Sequence, residues 1–121
     1  MVLERIDCDF SICRLKSLSK NVLESEFAFA AKTDQEYSLV CLSTHVPADA
    51  LEREDGWKAF RIQGTLDFSL TGILAPIAQL LAAHEIGIFA VSTYKTDYVL
   101  IKNGQYETAL SLLEDSGYDI M

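Results

Sequence analysis

The order of apolar patterns in residues 60–121 constrains the fold of this chain more than any other feature. Apolar and polar side chains alternate over residues 60–68, which is typical of a half-buried strand. Apolar residues then recur with helical spacing over residues 73–84, and Pro76 fits such a helix if it lies in the first turn. A strand followed by a helix is therefore predicted to open this half of the chain.

Two more strands and a second helix are predicted to follow. Residues 86–91 and 98–101 are apolar segments on either side of a polar turn, which is typical of a hairpin. Residues 105–116 have the apolar spacing of a helix, with Asn103 as its N-cap and Gly117 as its left-handed stop. A last short strand completes the order β-α-β-β-α-β. This is the split βαβ arrangement, with both helices on one face of an antiparallel sheet.

The first half of the chain repeats this order in a weaker form. The pattern predicts a strand, a short helix, a hairpin and a second helix, over residues 8–15, 18–24, 27–43 and 47–54 in turn. The last strand of this half is predicted from Trp57 onward, and residues 57–68 are long enough for one continuous strand to end the first unit and begin the second. No low-complexity linker separates the two halves. The predicted fold is therefore α+β, with two ferredoxin-like βαββαβ units over residues 1–59 and 60–121.

The charge of the chain argues against a nucleic-acid or membrane-surface partner. The 121 residues carry a formal net charge of -8, and residues 1–59 and 60–121 are each net acidic. Neither half offers the basic face that phosphate backbones or anionic lipids require. The sequence also lacks an apolar run of about 20 residues, and its first residues lack the basic-then-apolar order of a signal peptide. We therefore expect a soluble cytoplasmic protein.

Three cysteines, Cys8, Cys13 and Cys41, each lie in a strand-like segment where a small apolar side chain would pack. An odd number of cysteines cannot all pair within one chain, and thiols stay reduced in most intracellular proteins. We therefore expect reduced thiols in the core.

Two polar segments of the second half suggest a site for a small ligand. Gly72 precedes the first predicted helix of this half. A glycine turn lets backbone N–H groups approach a ligand, and the positive end of the helix dipole favours a carboxylate there. Asp97, in the turn of the predicted hairpin, can accept a hydrogen bond from an ammonium or guanidinium group. The two segments together fit a free amino acid.

The same segments resemble the ACT domain, a small βαββαβ module that binds amino acids and controls metabolic enzymes. The resemblance is densest over residues 70–101 and rests on the segments TGILA (71–75), GIFAVST (87–93) and DYVL (97–100). More narrowly, the chain resembles the ACT repeats of aspartate kinases and their stand-alone relatives, including the cytosolic arginine sensors of the mTORC1 pathway.

The resemblance implies a position for the ligand, between two ACT units and under the glycine turn. The ligand-binding residues that it implies are Thr71, Gly72, Ile73, Thr93, Tyr94 and Asp97. Gly72 and Ile73 would contact the ligand through backbone groups, and Asp97 would do so through its carboxylate. Thr93 and Tyr94 would line the ligand.

The sequence contains no pattern that indicates catalysis or metal binding. His45 and His84 have no cysteine, serine or acid at a spacing that suggests a nucleophile and its base. HxxxH and CxxC spacings are absent, and Gly72 stands without the further glycines and lysine of a phosphate-binding loop. We therefore expect no enzyme activity, no metal and no cofactor.

The predicted function is a regulatory module that binds a free amino acid or similar metabolite, forms a homodimer and acts on an unidentified regulated protein. The alternative is a ligand-free homodimerisation or partner-binding module. Under that alternative Gly72 is an ordinary strand-to-helix turn, Asp97 is a solvated hairpin residue and Tyr94 closes the edge of the core. A dimer surface would not need the polar turn around Asp97, although protection of an edge strand also explains it.

Overall fold

A computed structural model of the protein describes residues 1–64 and 71–121. The strands and α-helices of this described part are β1 (Val2–Leu15), β2 (Ala28–Lys32), β3 (Tyr37–Leu42), β4 (Glu52–Ile62), α1 (Leu74–Ala83), β5 (Phe89–Ser92), β6 (Asp97–Lys102), α2 (Asn103–Asp115) and β7 (Asp119–Ile120). The chain divides into a larger unit, Met1–Asp7 with Lys58–Met121, and a smaller unit, Cys8–Trp57.

The larger unit has its strands in the order β7-β1-β4-β6-β5. Strands β5 and β6 form an antiparallel hairpin in which Ser92 lies opposite Asp97, and this confirms the predicted hairpin. Strand β7 pairs in parallel with the start of β1, where Val2 lies opposite Asp119. From β4 to β7 the elements follow the predicted β-α-β-β-α-β order. The segment Met1–Asp7 adds a strand between β7 and β4 that the sequence pattern did not indicate.

Alternate strand residues and one stripe of α2 form the core of the larger unit. Phe60 and Ile62 of β4 and Val99 of β6 are almost fully buried, because side chains at alternate strand positions share a face. The buried stripe of α2 is the predicted one, formed by Tyr106, Ala109, Leu110 and Leu113. Packing of this apolar stripe, more than helix propensity, stabilises α2.

The ends of the helices agree with the sequence except at the start of α2. Pro76 is the third residue of α1 and so lies in its first turn, as predicted. The predicted N-cap role of Asn103 is wrong, because Asn103 is already helical and the N-cap is the preceding residue Lys102, through which β6 leads directly into α2. Gly117 has a φ of 104°, which is the left-handed conformation predicted after α2.

Strand β4 begins earlier and ends earlier than the continuous strand predicted over residues 57–68. It runs from Glu52 to Ile62, and Gly64 follows the strand with a φ of 97°. The rest of that predicted strand, residues 65–68, lies outside the described residues, as do Ser69 and Leu70.

The smaller unit has its strands in the order β2-β3-β1-β4. Strands β2 and β3 form the predicted hairpin, with Lys32 opposite Tyr37, and β1 runs antiparallel to β3, with Cys13 opposite Leu39. One cluster of its buried residues consists of Cys13, Leu15, Val22, Leu39 and Cys41. This unit therefore has a core cluster of its own.

All three cysteines are free thiols, which agrees with the expected reduced state. Cys13 and Cys41 are buried in the smaller unit, as predicted, whereas Cys8 is half-buried. Burial raises the pKa of the Cys13 thiol, and it raises the pKa of Cys41 to about 11. Both thiols are therefore protonated at neutral pH and are poor nucleophiles.

The two helices predicted for the first half of the chain are not observed as α-helices. Residues 18–24 form only a short 3-10 helix, Lys20–Leu23. The predicted helix over residues 47–54 is wrong, because Glu52 begins β4. The Leu51 N–H donates a backbone hydrogen bond to the Arg14 carbonyl, and the Arg14 side chain pairs with Glu52 at 2.8 Å. The pairing of the start of β4 with β1 therefore determines the structure here, and the helical pattern of residues 47–54, which is only about two turns long, does not.

A polar cluster in the smaller unit leads to a prediction about acid stability. Ser11 is fully buried, and its hydroxyl donates to the Asp55 carboxylate and lies 2.7 Å from the Ser43 hydroxyl. Arg53 also donates to Asp55, at 3.0 Å. The Ser11 hydrogen bond, followed by that of Arg53, lowers the pKa of Asp55 below its usual value.

A carboxylate with a lowered pKa stabilises the fold above its unfolded pKa and loses this contribution as the pH falls through its folded pKa. We therefore expect the stability difference between the wild type and Asp55→Asn to be largest near neutral pH and to shrink below about pH 3.9. Urea unfolding followed by circular dichroism at a series of pH values measures this difference. A difference that stays constant down to the acid-unfolding limit would contradict the role of the Asp55 charge.

Candidate functional site

The predicted glycine turn lies immediately before α1. Thr71 and Gly72 are exposed, and Gly72 has a φ of 70°, in the left-handed region that glycine adopts without strain. Ile73 is the N-cap residue of α1, makes no side-chain capping hydrogen bond, and packs partly against the core of the larger unit. The first N–H groups of α1 thus have no side-chain cap from Ile73.

The hairpin between β5 and β6 places the other predicted site residues in one turn. The Ser92 hydroxyl donates to Oδ1 of Asp97 at 2.7 Å, and Asp97 is half-buried. The N–H and hydroxyl of Thr93 both donate to the Thr96 carbonyl, at 2.9 and 3.0 Å. Tyr94 extends from the tip of the turn with 82% of its surface exposed.

The predicted site residues thus form two groups, the glycine turn and the hairpin turn. The hydrogen bonds of Thr93 and Asp97 stay within the hairpin, and among the described residues none of them reaches Gly72. Thr93 closes the turn, and Asp97 has one carboxylate oxygen engaged by Ser92.

Thr96 has a structural role that the sequence did not reveal. It is buried, and its hydroxyl donates to the Ile62 carbonyl at 2.7 Å, so it ties the hairpin turn to the end of β4. In the sequence Thr96 is one of several polar residues in a polar turn, and nothing distinguishes it from its exposed neighbours.

A cavity of about 140 Å³ lies beside this turn in the larger unit. Its lining residues are Glu4, Arg61, Ile62, Gly64, Lys95, Thr96 and Tyr98. Nη2 of Arg61 donates to Glu4 at 3.0 Å, and Nη1 donates to the Tyr98 hydroxyl at 3.4 Å. The guanidinium also lies 5.9 Å from the centre of the Tyr98 ring. The hydrogen bonds to Tyr98 and Glu4 raise the pKa of Arg61, so this side chain stays charged.

Sequence reasoning missed this cavity because its residues come from three separate strands and from the hairpin turn. Glu4 lies before the first predicted strand, and Arg61 fits the polar face of an ordinary half-buried strand. Within the part of the chain that the structure describes, no group of three histidine, cysteine, aspartate or glutamate side chains is placed to hold a metal ion.

Comparison with known proteins assigns the family. A family model described as an ACT domain matches residues 52–115, from β4 to the end of α2. The chain belongs to the ACT domain family. The match confirms the resemblance seen in the sequence, and the matched ACT domain contains both the glycine turn and the hairpin turn. ACT domains are regulatory modules. Within the described ranges, no helix is long and apolar enough to cross a membrane.

Two solved structures resemble this ACT protein over most of its length. The protein Atu0741 of Agobacterium tumefaciens is 30% identical, with 98% of this chain and 90% of that chain covered and a TM-score of 0.88. The protein VC0802 of Vibrio cholerae, described as being of unknown function, is 19% identical, with coverages of 94% and 88% and a TM-score of 0.77. A search of curated proteins finds no match.

Aspartate kinases share the fold at lower identity. A structure of aspartokinase alpha and beta subunits is 15% identical, with 95% of this chain and 96% of that chain covered and a TM-score of 0.64. The aspartate kinase of Clostridium acetobutylicum, described as an allosteric enzyme, is 12% identical with a TM-score of 0.65. The match covers 93% of this chain but only 33% of that kinase. At these identities the similarity concerns the fold.

Proposed function

We propose that this protein is a non-catalytic regulatory module that binds a free amino acid. The observation that carries this proposal is the glycine turn before α1, which lies within the matched ACT domain. The left-handed φ of Gly72 turns the chain into the helix, and the first N–H groups of α1 favour a negatively charged group. An α-carboxylate is such a group.

The hairpin turn supplies the opposite charge in this proposal. Asp97 has a carboxylate that only accepts hydrogen bonds, and Ser92 engages one of its two oxygens. A charge-assisted hydrogen bond from an ammonium or guanidinium group to the other oxygen is typically worth about 1.5–3 kcal/mol. Thr71, Gly72 and Ile73 would contact the carboxylate end of the ligand, and Thr93, Tyr94 and Asp97 would contact the amino or side-chain end.

Regulation would follow from unequal affinity for two states of the protein. A ligand that binds one arrangement more tightly shifts the equilibrium towards it, and a second subunit or a regulated protein responds to the shift. In this proposal the unit that contains residues 60–121 is the ligand-binding ACT unit, the smaller unit within residues 1–59 is a degenerate ACT-like unit, and the protein acts as a cytoplasmic homodimer.

Thermal unfolding in the presence of each of the twenty amino acids tests the proposal. A ligand at about 100 times its dissociation constant stabilises the folded state by about 2.7 kcal/mol. For a chain of this length that raises the Tm by roughly ten degrees. We expect one selective amino acid to give such a shift, whereas its amide, which lacks the carboxylate charge, should not.

Replacing Asp97 by alanine is expected to abolish this ligand-induced shift while changing the stability without ligand by no more than about 0.5 kcal/mol. The small structural effect is expected because the hydroxyl that Asp97 engages belongs to the exposed residue Ser92. Asp34→Ala is the matched control, since Asp34 is an exposed aspartate in the turn of the other hairpin. Equal shifts in the wild type and both variants would contradict the role given to Asp97.

The edge position of β5 favours the alternative function, a ligand-free dimerisation module. Strand β5 ends the strand order of the larger unit, and its four residues include no charge and no proline. Such an edge can pair with a second copy. No shift with any amino acid, together with a dimer in analytical ultracentrifugation, would support this alternative.

A further inference from the structure

Three side chains that line the cavity beside the hairpin turn, Glu4, Arg61 and Tyr98, lie on the face of the strands opposite to the two helices. Leu3, Phe60, Ile62 and Val99 belong to the core cluster formed with α1 and α2. Glu4, Arg61 and Tyr98 are their immediate neighbours along the strands, and adjacent strand residues point to opposite faces. The cavity is therefore separate from the glycine turn, which supplies none of its lining residues.

The charge of the cavity is opposite to that of the protein as a whole. The chain has a formal net charge of -8, yet among the described residues that line the cavity two are cationic, Arg61 and Lys95, and one is acidic, Glu4. A concave site with a cationic excess concentrates small anions. In a chain with ten basic and eighteen acidic residues, the presence of both Arg61 and Lys95 in the lining favours an anion in this cavity.

Arg61 is held in place before any ligand arrives. Glu4 accepts from Nη2 on one side, and the Tyr98 hydroxyl accepts from Nη1 on the other. The two side chains of the ion pair are only 33% and 28% exposed. The guanidinium carries five N–H donors in a fixed plane, and a fixed plane of donors suits the two oxygens of a carboxylate.

The volume of the cavity limits the size of the ligand. At about 140 Å³ it is similar to an engineered protein cavity of about 150 Å³ that holds benzene, a molecule with six heavy atoms. We propose that this cavity binds the carboxylate of a small organic acid of about six heavy atoms, between Arg61 and Lys95. This site goes beyond the amino-acid site proposed at the glycine turn and does not rest on it.

Either a small hydroxy acid or a small amino acid can supply this carboxylate. Lactate and alanine both have six heavy atoms, and they differ in that alanine also has an ammonium group. Glu4 can accept a hydrogen bond from an ammonium group. The two ligands share the carboxylate recognised by Arg61 and Lys95, and direct titration separates them.

Titration of the ¹⁵N-labelled protein with lactate, alanine and lactamide, followed by NMR at constant ionic strength, tests the proposal. We expect saturable shifts of the amide signals of Gly64, Lys95 and Thr96 with lactate, with alanine or with both. Lactamide, which has the same shape but no charge, is expected to give none. The absence of saturable shifts with both carboxylates, or equal shifts with lactamide, would overturn the proposal.

Lys95→Gln is the variant that tests the cationic lining. Lys95 is exposed in a turn, so the fold is expected to survive its replacement. Loss of one charge-assisted contact should weaken carboxylate binding by about tenfold. Lys16→Gln is the matched control, because it removes the same charge from an exposed position of the smaller unit and should leave the affinity unchanged. Equal weakening by both variants would show non-specific attraction and overturn the site.

The same spectra distinguish this proposal from that of the glycine turn. Amide shifts of Gly72 and Ile73 report on the glycine turn, and those of Arg61 and Gly64 report on the cavity, because Thr96 belongs to the hairpin turn that both proposals share. Shifts of Gly72 and Ile73 without shifts of Arg61 and Gly64 would overturn the cavity while leaving the regulatory amino-acid site intact. Shifts of Arg61 and Gly64 without shifts of Gly72 and Ile73 would support the cavity and count against the glycine turn.

Discussion

Replacing Leu110 by alanine is expected to lower the free energy of unfolding by about 2–5 kcal/mol. Leu110 lies in the middle of the buried stripe of α2, is 4% exposed and belongs to the core cluster of the larger unit. The substitution removes three buried carbon atoms and leaves a void that close-packed neighbours fill only in part. Urea unfolding followed by far-ultraviolet circular dichroism measures the change.

Leu23→Ala is the matched control for this measurement. Leu23 is 63% exposed at the end of the 3-10 helix Lys20–Leu23, so the same change of side chain should alter stability by no more than about 0.5 kcal/mol. A loss for Leu110→Ala that is no larger than the loss for Leu23→Ala would show that α2 does not pack through this stripe.

Replacing Tyr106 by phenylalanine is expected to cost about 1–3 kcal/mol of stability, although the ring remains. The Tyr106 side chain is almost fully buried, and its hydroxyl donates to the Ala59 carbonyl. Phenylalanine leaves that buried carbonyl without its hydroxyl donor. Tyr94→Phe is the control, because Tyr94 is 82% exposed. The stability of this variant should be close to that of the wild type.

The same tyrosine gives the wild type a specific sensitivity to alkali. Burial raises the pKa of Tyr106 to about 12, whereas an unfolded tyrosine ionises near pH 10. Because its pKa is raised on folding, Tyr106 contributes fully to the free energy of unfolding below about pH 10, and this contribution falls as the pH rises towards 12. Tyr106→Phe lacks this group, so its stability deficit relative to the wild type should narrow in that range. A deficit independent of pH would contradict the buried position of the hydroxyl.

Local sequence patterns predicted the helices and strands that bury one face of a single continuous segment. The stripe of α2 and the hairpin of β5 and β6 were visible because burial imposes periods of 3.6 and 2 residues on the sequence. The N-terminal part of β1 was not visible, because its buried residues Leu3 and Ile6 are three residues apart and do not show the alternation of a strand. Pairing with β4 and β7 determines that part of the strand, and pairing leaves no local pattern.

The candidate sites differ in the same way in how far the sequence alone predicts them. The glycine turn and the hairpin turn are short segments whose residue types suggest their chemistry directly. The cavity of Glu4, Arg61 and Tyr98 exists only because β1, β4 and β6 lie side by side. Two of these side chains are almost 60 residues apart in the sequence, and the local pattern around each is that of an ordinary strand.

The pairing of β7 with the first residues of β1 makes the larger unit discontinuous in the chain. Val2 and Leu3 pair with Asp119 and Ile120, so this contact joins positions separated by nearly the whole sequence. A ribosome must therefore reach residue 120 before the larger unit can close, whereas the smaller unit, Cys8–Trp57, is contiguous and available earlier. A fragment limited to the matched residues 52–115 would lack both β1 and β7. Strand β4 would then have no neighbouring strand on the side where β1 lies.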